Sequence, residues 1–170
     1  MDVAFSLRQL SVNDAASYRG LRLDGLYKHP EAFGASWADE AGKPLEWFAA
    51  RLQGNRVFGG WLADGSLAGV AGLSVPDAVR LRHKGVLWGM YVQPAARGTG
   101  MAAALVQHVI EQAGDTLEEI LLTFTASNMA AARLYGRFGF QPYGVEPRAF
   151  KIEECYHDMV LMRLRLSSSD

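Results

Sequence analysis

Cysteine is nearly absent: Cys155 is the single thiol in 170 residues. A disulfide framework needs a pair and a cysteine-based zinc finger needs at least two thiolates, so both are excluded within the chain. Charge of one sign is lacking too. Lys plus Arg number 17 against 18 for Asp plus Glu, a formal net charge of −1. Without a global field to hold a polyanion, no nucleic-acid partner is expected, although a local basic site stays open. No run of about 18 uncharged apolar residues occurs, so no membrane span or membrane partner is expected. The start, with Asp2 early and no apolar run behind a basic end, does not read as a signal peptide. The expectation is a soluble, cytoplasmic protein. The four histidines, His29, His83, His108 and His157, share no metal-ligand spacing, so no metal is expected. Internal repeats, linkers and low-complexity stretches are also missing.

What is present is an ordinary globular mixture, 49% hydrophobic and 21% charged, which excludes a disordered chain. The length suits one domain over 1–170. The period of the apolar residues changes along it. Residues 4–9 read as a strand. A helix capped by Asn13 or Asp14 follows, with Ala15, Tyr18, Leu21 and Leu26 on one face, stopping before Pro30. Residues 31–43 read as a loop and 44–53 as a second helix. Strands at 57–63 and 67–75 flank Asp64-Gly65, a strong hairpin signal. A third strand covers 85–92. Glycines 59, 60, 69, 72 and 89 inside these strands predict bulges or the close approach of another backbone. A helix at 100–113, a strand at 120–125, a helix at 128–138 and strands at 140–144 and 156–166 complete the chain. Ser167–Asp170 reads as a frayed polar tail.

The order is β α α β β β α β α β β. Short links make the first strands an antiparallel meander, and the helical crossover between 85–92 and 120–125 makes that pair parallel. The fold class is therefore α+β with a mixed central sheet.

The segment after the third strand carries the chemistry. An apolar strand enters the loop Gln93–Thr99 and then a helix. Gly98 and Gly100 remove side chains where backbone amides could approach a ligand. The helix start leaves unpaired N–H groups at the positive end of its dipole, a setting suited to phosphate. Arg97 adds a planar cation. A nucleotide-binding P-loop needs Lys and then Ser or Thr after its second glycine, but Met101 follows Gly100. A dinucleotide fold is matched on the surface by Gly98, Gly100 and Ala103, yet Glu118 and Glu119 precede the next strand instead of ending it. A glycine-rich helix start without a ligand remains open at this point.

Tyr91-Val92-Gln93-Pro94-x-x-Arg97-Gly98-x-Gly100 resembles the acetyl-CoA motif of the GNAT (N-acetyltransferase) superfamily. The core pattern, Arg or Gln, two residues, Gly, one residue, then Gly or Ala, is met by Arg97, Gly100 and Ala102. Downstream, Asn128-x-x-Ala131-x-x-Leu134-Tyr135-x-x-Phe138-Gly139-Phe140 is similar to a second motif of that family. Residues 21–36 and the last strand are similar to those of one group of small bacterial members. The resemblance implies the family fold, with the parallel strands splayed at the cofactor, and acetyl-CoA as cosubstrate without a metal. It implies that backbone amides of Arg97, Gly98, Thr99, Gly100, Met101 and Ala102 hold the pyrophosphate. The backbone of Met90, Tyr91 and Val92 would form an exposed strand edge along the pantetheine arm. Asn128 would cap its helix and touch that arm, and Tyr135 would act as the acid toward the departing thiolate.

The implied activity is acetyl transfer to a primary amine by direct attack in a ternary complex. The alternative is a CoA-binding regulatory or structural module with the same fold and no turnover. The acidic neighbours Glu153 and Glu154 disfavour a thiolate at Cys155 and hence an acyl-cysteine route. His108 is expected on a solvated helix face. The acceptor, a small-molecule or peptide amine, is expected against residues 24–46, where Asp24, Glu31, Asp39, Glu40 and Glu46 face only Lys28 and Lys43. Glu31, His83 and Asp158 are candidates for the general base. A homodimer is left open.

Overall fold

A computed structural model describes residues 4–166. The first three residues and the tail expected to fray, Ser167–Asp170, lie outside the described residues. Seven strands form one sheet: β1 (Phe5–Gln9), β2 (Arg56–Leu62), β3 (Leu67–Ser74), β4 (Lys84–Val92), β5 (Glu119–Thr125), β6 (Gln141–Ile152) and β7 (Cys155–Arg165). Their spatial order is β1-β2-β3-β4-β5-β7-β6. Only β4 and β5 run parallel; the other neighbours are antiparallel. The helices are α1 (Ala15–Lys28), α2 (Trp37–Glu40), α3 (Leu45–Gly54), α4 (Met101–Ala113) and α5 (Met129–Arg137).

Helices cover both faces of the sheet, and the period of two in the strands sorts the core into two layers. Val57, Val70 and Tyr91 point to the side of α1 and α3, where Tyr18, Leu26 and Phe48 are buried. Their neighbours Phe58, Ala71 and Val92 point to the side of α4 and α5, among Leu105, Val109 and Tyr135. Burial on both faces explains why β3 is apolar along almost its whole length. His108 is half-buried, not solvated, and meets the Phe58 ring edge-on at 4.9 Å.

Three local expectations are corrected. Asp14 stands at the N-cap of α1, as one of the two expected residues, but makes no side-chain capping bond there: Ser11 caps a 3-10 turn over Val12–Asp14, and the Asp14 carboxylate accepts from the Ser11 N–H at 2.8 Å. The stretch expected as a loop at 31–43 contains a 3-10 turn, Pro30–Ala32, and the one-turn α2. The strand expected at 140–144 runs on to Ile152. A register shift lies between Glu146 and Phe150, where Arg148 takes a φ of 53° and its N–H donates to Asp158 Oδ1 at 2.8 Å. Pro147 and the bulge interrupt the alternation that would mark a strand, and most of β6 is exposed on both faces.

The glycines of β2 and β3 admit a side chain, where a backbone was one of the expectations. Gly60 and Gly69 are register partners. A Cβ at either would stand 2.7 Å and 2.6 Å, respectively, from the Met101 sulfur. Met101 is fully buried there, so the first turn of α4 is pinned to the sheet. Gly69→Ala should therefore lower stability by about 1–3 kcal/mol, the usual cost of overpacking a filled core. Urea unfolding followed by circular dichroism measures it; a change under about 0.5 kcal/mol, the range of ordinary surface substitutions, would show that the Met101 socket is soft.

Candidate functional site

The sheet is divided at its centre. Val70 pairs with Tyr91 and Gly72 with Trp88, so Ala71 alone faces both Gly89 and Met90. That is a bulge in β4, and Gly89 takes a φ of 63°, a left-handed conformation that glycine tolerates. Pairing of β4 with β5 is confined to Lys84–Val86 against Glu119–Leu121. Among the described residues Leu87–Val92 have no register partner on β5, and this stretch contains Met90–Val92, the strand edge that the family resemblance implies. The side chains of Tyr91 and Val92 are nevertheless buried, packed on opposite faces.

The gap opens into a cleft of about 630 Å³, with Met90, Tyr91 and Val92 on one wall and Thr125, Asn128 and Tyr135 on the other. A second cavity of about 350 Å³ adjoins it under the loop, bordered by Arg97, Gly98, Gly100, Met101 and Ala102. Gly98 and Gly100 have φ of 76° and 87°, and a Cβ on either would meet no protein atom within 4 Å. The intrahelical ladder begins with the Ala104 N–H on the Gly100 carbonyl at 2.9 Å. The amides of Ala102 and Ala103 precede it and carry no intrahelical bond. Two of the amides expected to face a ligand are already used: Arg97 N–H donates to Pro94 at 3.2 Å and Met101 N–H to Thr99 Oγ1 at 3.3 Å. Thr99 borders neither cavity; its hydroxyl donates to Ala96 at 2.6 Å and stiffens the turn.

Asn128 caps α5, its Oδ1 accepting from the Ala131 N–H at 3.0 Å, and it also lines the cleft. Tyr135 is buried between Phe124 and Phe140 yet borders the cleft. Burial pushes its phenol well above the ordinary range. The phenol therefore keeps its proton and can donate a hydrogen bond into the cleft.

The end of α1 and the turn after it grip the two lips of the gap. On the β4 side the Tyr91 hydroxyl donates to Asp24 Oδ2 at 2.8 Å. On the β5 side Thr125 Oγ1 donates to the Glu31 carbonyl. Between them Arg97 donates through Nε to the Val92 carbonyl at 3.2 Å and lies 3.2 Å from His29 Nε2.

Of the five acids expected to form an acceptor wall, only Glu31 reaches the cleft. Asp24 is taken by Tyr91 and Lys28. Asp39 pairs with Ser36 at the start of α2, and Glu40 is buried against Arg22 and Arg51. Among the candidate bases, Asp158 holds the Arg148 amide and His83 borders neither cavity. Sequence reasoning passed over His29, Thr125 and Arg137, which line the cleft. Arg137, two residues after Tyr135, was visible as a cation at the end of a motif helix. Thr125 and His29 gave no local signal, because their roles arise across 94 and 68 residues of chain.

The sheet is divided, with a glycine-bearing loop at one end of the gap and a buried phenol on its wall. The acetyltransferase (GNAT) family model matches residues 23–140, and the chain belongs to that family. An acetyltransferase of the GNAT family from Streptococcus pneumoniae superposes with a TM-score of 0.84 at 24% identity, covering 96% of this chain and 100% of that one. The yncA protein from Salmonella typhimurium, solved with its cofactor acetyl-CoA, gives 0.79 at 21% identity over 96% of this chain and 95% of that one. The ribosomal-protein-alanine N-acetyltransferase from Brucella melitensis gives 0.77 at 20% identity over 95% and 99%. No curated protein matches the chain. Among the described residues no group of His, Cys, Asp and Glu could hold a metal ion. None of the described helices is long and apolar enough to cross a membrane.

Tyr91 gives the site a pH signature. Burial, then the hydrogen bond to Asp24, push its phenol up to about 12, against an ordinary value near 10. A raised native value means that the native state keeps its proton where the unfolded chain has lost it. This stabilisation is full below about pH 10 and is lost as pH rises towards 12. Thermal melts should fall over that interval, and Tyr91→Phe should flatten the alkaline fall while lowering stability at neutral pH. An alkaline limb identical in the variant would contradict the assignment.

Proposed function

We propose that the chain is an N-acetyltransferase, one domain over residues 1–170, that moves an acetyl group from acetyl-CoA to a primary amine by direct attack within a ternary complex. The observation that carries it is the coincidence, along one cleft, of the open β4 edge, the loop of free amides and the Tyr135 hydroxyl. The empty space over Gly98 and Gly100 fits a pyrophosphate, with Gly98, Gly100, Ala102 and Ala103 offering N–H groups and Arg97 a charge. Acetyl-CoA supplies a thioester whose carbonyl carbon accepts the amine nitrogen as the carbon–sulfur bond breaks.

The chain's own groups act around that exchange. Backbone amides of β4 at the bulge, near Met90 and Tyr91, face the position where negative charge grows on oxygen. Asn128 orders the start of α5 and borders the arm of the donor. The Tyr135 hydroxyl donates a hydrogen bond toward the departing sulfur. Its raised phenol makes complete proton transfer to a thiolate unfavourable, so stabilisation by the hydrogen bond is the larger part of its role. Glu31, the one carboxylate lining the cleft among the described residues, draws in an ammonium group. The amine must lose its proton before attack, to Glu31 or to solvent. Neither Asp158 nor His83 borders the cleft.

Release of free thiol from acetyl-CoA in the presence of a panel of amines tests the reading. Turnover with at least one amine is expected. Tyr135→Phe keeps the ring and should reduce turnover by at least about tenfold while acetyl-CoA affinity barely changes. Binding of acetyl-CoA without thiol release for any amine would instead identify a CoA-binding module.

A further inference from the structure

The end of α1 sets one imidazole between two charged groups of the cleft. His29 borders the cleft with Arg97 beside one ring nitrogen and Glu31 near the other. Arg97 Nη2 lies 3.2 Å from His29 Nε2. A guanidinium can only donate, so Nε2 is the bare nitrogen, the ring is neutral and its proton sits on Nδ1. Nδ1 stands 3.9 Å from Glu31 Oε1, too far for a hydrogen bond but within reach of its charge. The ring is tilted against Tyr91 with 5.9 Å between centroids, and the Tyr91 hydroxyl is anchored on Asp24. With Nε on the Val92 carbonyl and Nη2 on His29, Arg97 is fixed at two points, and three of its five N–H groups are left for a ligand.

We propose that His29 is a positioning residue that holds Arg97 in place for the acyl donor while its imidazole is neutral, and that a proton taken up on Nε2 releases Arg97 and leaves an imidazolium paired with Glu31. The inference rests on the donor-binding reading above. An imidazolium donates from both nitrogens, so protonation replaces the acceptor by an N–H that faces a cation. The charged groups around the ring are Arg97 of the β4–α4 loop, Glu31 of the turn, Asp24 and Lys28 of α1, the Tyr91 phenol of β4, and Arg137 on the α5 side of the cleft. Carboxyl, phenol, ammonium and guanidinium groups ordinarily titrate outside about pH 5.5–8, whereas imidazole titrates within it. The competing explanation is that His29 only packs, with its ring on Tyr91 and its backbone N–H closing α1 on the Gly25 carbonyl.

Isothermal titration of acetyl-CoA at about pH 7.5 and about pH 5.5 separates these, on the parent, His29→Phe and His29→Gln, with thermal melts of each. Phenylalanine keeps a ring for Tyr91 and has no acceptor; glutamine keeps an acceptor for Arg97 and does not titrate. At the higher pH, His29→Phe should bind about three- to tenfold more weakly than the parent, and His29→Gln within about twofold of it. On going to the lower pH, the parent should lose at least about threefold more affinity than His29→Gln, a comparison in which titration of the ligand's own phosphate cancels. Parent-like binding by His29→Phe would reduce His29 to packing and overturn the proposal. So would an acid fall of equal size in the parent and His29→Gln. A parent that binds no acetyl-CoA at either pH would overturn the donor-binding reading itself.

Discussion

The early end of the pairing between β4 and β5 is the constraint on which the site depends. The two strands part after three register pairs, at Val86, and the one extra residue of β4, at Gly89–Met90, lies in the unpaired stretch that follows. Parallel strands normally stay paired because unpaired N–H and C=O groups in a dry interior are costly. Here the unpaired edge faces a cleft, where a ligand or water can satisfy it. Because β5 is held by β7 along its whole length, the gap cannot close by β5 drifting toward β4.

The rest of the fold holds that gap in shape. Met101 fills the socket over Gly60 and Gly69 and fixes the amides at the start of α4. On the opposite face, Arg22 on α1 makes a paired contact with Glu40 of α2 at 2.9 and 3.0 Å, and Arg51 of α3 joins at 3.3 Å. Both Arg22 and Glu40 are nearly fully buried. Breaking such a pair from one side strands a buried charge, at about 3–5 kcal/mol. The network ties the three N-terminal helices together, and Arg22 reaches the backbone at Gly89, 3.5 Å from where a Cβ would stand. The N-terminal helical layer thus lies against the bulge beside the cleft.

Much of this is legible in the sequence. Element order, the parallel pair at the helical crossover, the α4 face and the Asn128 cap follow from periodicity and capping chemistry, which are local. The loop proposed to hold the pyrophosphate could be singled out because its residues are consecutive, Arg97 to Ala102. The acceptor wall could not. Counting acids over 24–46 could not tell that Asp24, Asp39 and Glu40 already have partners, since two of those partners, Tyr91 and Arg22, lie 67 and 18 residues away. The length of β6 was hidden for another reason: a strand exposed on both faces has no apolar alternation to read.

Amide hydrogen exchange along β4, with and without acetyl-CoA, tests the central claim most directly. Val86 pairs with both β3 and β5 and should be protected in either condition. The peptide carrying Met90–Val92 should exchange faster alone and gain protection with acetyl-CoA, together with the peptide spanning Gly98–Ala103. Binding of acetyl-CoA without any added protection at Met90–Val92 would mean that the divided sheet is not where the donor lies.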